Sequence, residues 1–325
     1  MNASAPEVLR VAVAGAGRMG ARHIRTFNAL AGVEVSVIYD PRPASECDLS
    51  DVMQGRCTQS YQAFLEQARR ADMAVIAGPT ATHFGVTRDL IGCGLSCLVE
   101  KPMTVRPREC LMLGDLARAH GTGLYCAHIE RFNSALQATA GLLRNHPWEE
   151  VNITRHNPDS ARLSGDSIVT DLMIHDLDIV QHVMGLTFDA LLDVESGADG
   201  LDLSAGEGAD HVAVRLQTDA GYPVTLSTGR LPDSRQRAIH ARSAKGSLYV
   251  DLLNGGHDLQ FATPDLPAAP EDSNDSNDSD ALTRQAQAMV CSVMDGQSHG
   301  LASAEQSWQT LTLCQLIEQR LRLAS

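Results

Sequence analysis

Three side chains in this sequence have the types and settings for proton and charge chemistry. Asp171 and His175 stand four apart in an apolar run, and Lys101 lies between Glu100 and Pro102. On a helix, residues four apart rise about 6 Å and share a face, so the carboxylate can orient the imidazole. Imidazoles exchange protons near neutrality, whereas an ordinary lysine ammonium keeps its own. His175 therefore reads as a base, Asp171 as its orienter, and Lys101 as a cation that stabilises charge growing on an oxygen. That set suits proton transfer. A second cation close by would make the lysine the easier proton acceptor, so the opposite allocation stays open.

The window around Asp171 carries a longer stripe. Asp171, His175, Asp178 and His182 fall at i, i+4, i+7 and i+11, while Leu172, Ile174, Leu177, Ile179, Val180 and Val183 cover most of the remainder. Such a stripe is either the solvated side of the helix or the wall of a polar cavity. Lys101 has a similar pair of readings. It is a surface residue, or it stands at the mouth of a ligand site where the apolar strand 95–99 ends. Pro102 holds its backbone out of the helical region in both cases.

What must position these groups begins near the amino end. The apolar strand Val11-Ala12-Val13-Ala14 runs into Gly15-Ala16-Gly17-Arg18-Met19-Gly20, and a helical pattern follows at once. Gly15 permits the tight turn, Gly17 lets a pyrophosphate approach the backbone, and Gly20 lets the helix pack close to its strand. A second apolar run, 33–39, ends in Asp40, twenty residues beyond Gly20, the spacing of an acid that accepts from the adenosine ribose. The carboxylate would repel a 2′-phosphate, so NAD is expected and NADP less so, although Arg42 softens that repulsion.

Further strands at 73–77, 95–99 and 124–129 alternate with helices, which predicts a doubly wound parallel sheet with ligands at the carboxyl ends of its strands. Gly15 to Gly20, Asp40, Thr80, Lys101 and His128 all fall at or just beyond such ends. Pro107 suits a helix start and Gly121 its end. From residue 130 the pattern changes. After helices at 132–144 and 170–184 and a strand at 151–155, β-runs at 191–195, 211–216, 224–228, 238–243 and 248–252 succeed one another. This predicts a large open, mainly antiparallel sheet. The expected class is α/β, with a cofactor domain at 1–127 and a substrate-binding α/β domain at 128–325. The acidic stretch 264–280 reads as a solvated loop. Two helices end the chain, the second opened by Ser303 with Gln306 three residues later, a capping-box pattern.

Size and charge narrow the partners. A chain of 325 residues favours two domains, and a net charge of −14 argues against nucleic acid and against an anionic membrane surface. A dinucleotide is itself an anion, so particular arginines must meet anionic ligands. Arg131, Arg155 and Arg162 are either plain surface residues or a clamp for a substrate diphosphate. No apolar run approaches a membrane span, and the eight cysteines show neither C-x-x-C pairs nor a zinc pattern. Reduced thiols, a cytoplasmic setting and no metal are expected.

The glycine turn, Gly78-Pro79-Thr80-x-x-His83, Glu100-Lys101-Pro102 and Asp171-x-x-x-His175 occur in an order that resembles the glucose–fructose oxidoreductase / inositol dehydrogenase / MocA family over nearly the whole chain. The resemblance implies a Rossmann domain, a second domain with a large open sheet, and hydride transfer at a sugar carbinol. It implies Lys101, Asp171 and His175 as catalytic residues, also in contact with substrate, and a Lys101–Pro102 bond that is often cis. Cofactor contacts are implied for Gly15, Gly17, Arg18, Met19 and Gly20 in the turn and for Asp40 beyond it. They are implied again for Pro79, Thr80, His83, Glu100 and Lys101.

A narrower likeness rests on His128-Ile129-Glu130-Arg131-Phe132-Asn133 and on the run from Asp171 to Asp178. These resemble the UDP-N-acetylglucosamine 3-dehydrogenase branch, which oxidises the 3-hydroxyl ahead of transamination, an amine that some bacteria carry into lipid A. The substrate is then a nucleotide sugar, with Arg131, Asn133, Arg155 and Arg162 as its further contacts. Two alternatives stand beside it: a free-sugar or inositol dehydrogenase, which needs no diphosphate clamp, and a non-catalytic NAD-binding regulator, which could dispense with base and lysine. An exposed sheet face predicts a homo-dimer or homo-tetramer.

Overall fold

The structure, a computed structural model, describes residues 8–158, 167–197, 211–230, 235–261 and 278–324. Arg162 and most of the acidic stretch expected to be a loop lie outside the described residues. The chain divides into two compact units, Met1–Ile129 with Leu282–Gln309 and Glu130–Ala281 with Thr310–Ser325.

The first unit is built on alternation of strand and helix. In chain order come β1 (Leu9–Ala14), α1 (Arg18–Ala29), β2 (Val33–Tyr39), α2 (Asp51–Gln54), β3 (Cys57–Thr58), α3 (Tyr61–Ala68), β4 (Met73–Ile76), α4 (Thr80–Gly92), β5 (Ser96–Val99), α5 (Pro107–His120) and β6 (Leu124–Cys126). Residues Val11 to Ala14 of β1 and all of β4 are buried on both faces, as a parallel sheet sandwiched between helices requires. Pro107 occupies the first turn of α5, and Gly121 ends that helix at φ 67°, in the left-handed region.

Two expectations change here. The strand expected at 124–129 stops at Cys126: the amide of Ala127 makes the last bond to Val99, and the amides of His128 and Ile129 turn back on Cys126 and Ala127. The first unit also does not end near residue 127. A short strand, β14 (Ala302–Ser303), pairs antiparallel with β6 and completes a seven-stranded sheet in the order β14-β6-β5-β4-β1-β2-β3. The helix before it, α8 (Asp278–Asp295), supplies Ser292, whose hydroxyl donates to Tyr125 Oη at 2.8 Å.

The second unit holds α6 (Ser134–Asn145), β7 (Glu150–His156), α7 (Ile174–Asp178) between two π-wound turns (Val169–Met173 and Ile179–Val183), and strands β8 to β13. These are Phe188–Gly197, His211–Thr218, Pro223–Gly229, Gln236–Ser243, Gly246–Asp251 and Gly256–Phe261. Their sheet runs β13-β12-β11-β7-β10-β9-β8, and among the described residues the β7–β10 pair is parallel and the rest are antiparallel. Residues alternate in β7, β9 and β10 between buried and half-buried or exposed, so one face of the sheet is cored and the other is polar. The final helix, α9 (Ala304–Ala324), is opened by a reciprocal cap: the Gln306 amide donates to Ser303 Oγ, and the Ser303 amide donates to Gln306 Oε1.

Candidate active site

The glycine turn has the geometry that its residues demand. Gly15 sits at φ +103°, and a Cβ there would lie 2.6 Å from the main chain of Ala77 and Gly78. A Cβ on Gly20 would collide with the Gly15 carbonyl oxygen. Around Gly17 nothing lies within 4 Å of where a Cβ would be, so the turn is tight on two sides and open on the third. α1 starts beside that opening with Gly17 as its N-cap and no side-chain cap, which leaves first-turn amides for an anion. Arg18 is exposed and Met19 half-buried in that turn. The pyrophosphate of a dinucleotide fits this cradle.

Asp40, just past β2, is tied to the same turn by the Ala16 amide, which donates to Oδ2 at 2.8 Å. Arg42 donates to both carboxylate oxygens through Nε and Nη2, at 2.9 and 3.0 Å. Burial would raise the Asp40 pKa, but Arg42 and the Ala16 amide outweigh it and hold the carboxyl below its ordinary range.

Beyond β4 and β5, the loops expected to meet the cofactor are braced from within. The ring nitrogens of buried His83 lie 3.0 Å from the Pro102 carbonyl and 2.9 Å from the Gly78 carbonyl, so one imidazole ties the two loops together. His23 Nε2 donates to Glu100 Oε1 at 2.8 Å, and the Lys101 amide donates to Glu100 Oε2 at 3.2 Å. Burial disfavours the Glu100 carboxylate, yet the His23 bond and the Lys101 charge prevail and lower its pKa. The His83 and Glu100 side chains meet protein groups and hold the loop that carries Lys101. Pro79 and Thr80 open α4, Pro79 exposed and Thr80 half-buried. The Lys101–Pro102 bond is cis, as the resemblance implied.

In the second unit, the stripe on the 169–184 segment is not a solvated side. Arg230 Nη2 donates to Asp171 Oδ2 at 3.2 Å. Arg131 grips the buried Asp178 through Nε at 2.8 Å and Nη2 at 2.6 Å. Asp171 and His175 are both half-buried, with π turns flanking the one regular turn that carries His175. The 3.6-residue projection holds only across that turn, because a π turn takes up an extra residue.

Beside His175, Asp176 is wholly buried and accepts from Arg155 Nε at 2.9 Å and Nη2 at 2.8 Å, while Arg155 Nη1 donates to Glu130 Oε1 at 2.7 Å. Arg237 approaches the same Glu130 oxygen at 3.4 Å. Burial works against the Arg155 cation, but Asp176 and Glu130 prevail and raise its pKa further. The guanidinium groups of Arg131 and Arg155, both expected at a diphosphate, are engaged by buried carboxylates. Asn133, also expected at the substrate, has a local structural role. Its Oδ1 accepts from the Ala135 and Leu136 amides as the N-cap of α6, and its Nδ2 donates to the Leu252 carbonyl.

Arg230, Glu130 and Asp176 had not been singled out as site residues. A signal for the last was present: an acid in an apolar helix that is buried needs a cation. Val151, Ile153 and Arg155 share one parity on β7, which points Arg155 inward.

Comparison with known proteins follows the same lines. A family model described as an oxidoreductase family with an NAD-binding Rossmann fold matches residues 9–128. UDP-N-acetylglucosamine 3-dehydrogenase of Acidithiobacillus ferrooxidans is 25% identical over 283 residues, covering 85% of this chain and 86% of the relative. A solved structure of that enzyme from the same species superposes with a TM-score of 0.76, at 21% identity, over 95% of this chain and 96% of the other. Myo-inositol dehydrogenase Hyg17 of Streptomyces leeuwenhoekii is 30% identical over 235 residues, 68% of this chain and 70% of that protein. The structure of GenD2 from gentamicin A biosynthesis, solved in complex with NAD, has a TM-score of 0.78 at 19% identity and covers 97% and 95%. The structural likenesses, at these identities, bear on the fold.

Proposed function

The chain belongs to the glucose–fructose oxidoreductase / inositol dehydrogenase / MocA family, with its NAD-binding Rossmann domain, and from that premise we propose that it oxidises the 3-hydroxyl of UDP-N-acetylglucosamine. The observation that carries this reading is the similarity to a UDP-N-acetylglucosamine 3-dehydrogenase over 85% of the chain. When bound, NAD supplies the acceptor for hydride. His175 takes the hydroxyl proton and Lys101 stabilises charge growing on the oxygen, while Asp171, on the π turn before His175, keeps the orienting role that the family resemblance implies rather than one the helix spacing gives. Arg230 joins this set as the partner of Asp171. The 3-keto sugar is a substrate for transamination, which suits a route to diamino sugars such as those of lipid A.

A second reading, a cyclitol or free-sugar dehydrogenase, draws on a specific observation. Two of the three arginines expected to meet a diphosphate already hold buried carboxylates, and an inositol dehydrogenase is among the relatives. The test is NADH formation from NAD with UDP-N-acetylglucosamine, glucose and myo-inositol. Turnover of the nucleotide sugar is expected. Oxidation of inositol or glucose alone replaces the first reading by the second, and NADH binding with no oxidation of any of them supports a regulator.

Among the described residues no helix is long and apolar enough to cross a membrane, and all eight cysteines are free thiols. The thiols support a reducing, cytoplasmic compartment. The polar face of the second sheet supports a homo-dimer or tetramer, which light scattering would report as a multiple of the 34.9 kDa chain.

A further inference from the structure

Asp40 is the acid assigned to the adenosine ribose, yet the protein itself already fills its acceptors. Oδ2 accepts from the Ala16 amide and Arg42 Nη2, and Oδ1 accepts from the Arg42 amide and Arg42 Nε. An ionised carboxylate offers about four lone-pair sites, so this set saturates it. Two of the four donors are main-chain amides fixed by the glycine turn and by the end of β2. The other two belong to one guanidinium whose side chain is 46% exposed, while that of Asp40 is 5% exposed. Only the guanidinium can leave without opening the fold, and a ribose with free 2′ and 3′ hydroxyls brings two donors to replace it.

We propose that Arg42 is a displaceable counter-ion that sets the choice between NAD and NADP. Toward NAD it competes with the ribose for Asp40, so it weakens binding. Toward NADP it does the reverse: it masks the carboxylate charge that would repel a 2′-phosphate and offers that phosphate its remaining N–H donors. One exposed arginine therefore narrows the discrimination that Asp40 alone would impose. The inference rests on the glycine-turn cofactor site and is independent of which sugar is oxidised.

Isothermal titration of the full chain with NAD and NADP tests it without turnover. Arg42→Ala is expected to tighten NAD by about threefold, the scale of an exposed ion pair no longer to be broken. The same change is expected to weaken NADP by about tenfold or more, as a charge-assisted bond is lost and the carboxylate unmasked. Arg42→Lys, which keeps a cation but not the fork, falls between. Equal shifts for both dinucleotides, or weaker NAD binding in Arg42→Ala, would overturn the proposal while leaving the cofactor site intact. A wild-type chain that binds neither dinucleotide would remove the site itself, and the proposal with it.

Discussion

His175 is followed in the chain by two buried carboxylates, Asp176 and Asp178, each held by an arginine, and that neighbourhood decides which substitutions are informative. Arg155→Met leaves the wholly buried Asp176 and the buried Glu130 with less countercharge. Breaking such a pair from one side costs about 3–5 kcal/mol. A urea titration should therefore show Arg155→Met destabilised on that scale, with Arg155→Met/Asp176→Leu recovering much of it. The substitutions that bear on chemistry lie elsewhere. If His175 is the base and Lys101 the charge stabiliser, His175→Ala and Lys101→Met each lower kcat by about 10²–10⁴-fold. NADH affinity stays intact in His175→Ala. Near-normal turnover in His175→Ala with a dead Lys101→Met reverses the allocation. Residue types and order made these candidates readable in the sequence. Where each arginine points was not legible, because net charge says only that cations are needed somewhere, whereas strand parity and buried partners decide the direction of each.

At the scale of elements, the glycine turn and the outer face of the second sheet make the testable claims. Gly20→Ala places a methyl on the Gly15 carbonyl, a backbone group that cannot move aside. Overpacking costs about 1–3 kcal/mol, and the variant should melt lower and lose NAD binding in titration, while Gly17→Ala, facing open space, should fold normally. On the sheet, His156 and His211 flank Gly229 across β7, β10 and β9, their rings 5.9 Å apart, with Ser227 Oγ 2.9 Å from His211 Nε2. Burial, then the His211 charge, push the His156 pKa below its ordinary 6.5. The unfolded chain therefore binds the proton more readily. The stability contributed by neutral His156 is full above about pH 6.5 and is lost as pH falls through the lower folded value. Melting curves of His156→Gln should flatten that acid limb, and an unchanged limb would assign it to other groups. Apolar runs and strand alternation made most of these elements legible. The two-residue strands β3 and β14 carry no periodicity to read, and the π turns depend on local winding that spacing alone does not encode.

At the scale of the whole molecule, the division of the chain is the least sequential feature. Strands alternating with helices predict a domain complete by residue 127, yet the first unit takes back Leu282–Gln309. Three consequences of a cut at residue 129 follow from named contacts. The edge of β6 loses its pairing with Ala302 and Ser303, and the Tyr125 hydroxyl loses Ser292. Leu282, Ala286 and Met289, each no more than 2% exposed, leave with the segment. Burying such side chains is worth about 1.5–3 kcal/mol for each of the larger ones, Leu282 and Met289, a sizeable share of the roughly 5–15 kcal/mol that holds a domain together. The fragment 1–129 should therefore unfold without a cooperative thermal transition and bind NAD poorly. The same fragment joined through a flexible linker to residues 278–309 should recover both a cooperative melt and dinucleotide affinity. Were 1–129 alone to melt cooperatively and match the full chain in affinity for NAD, the returning segment would be a surface addition. The glycine turn, Asp40 and the Lys101 loop would then need no support from the far end of the sequence.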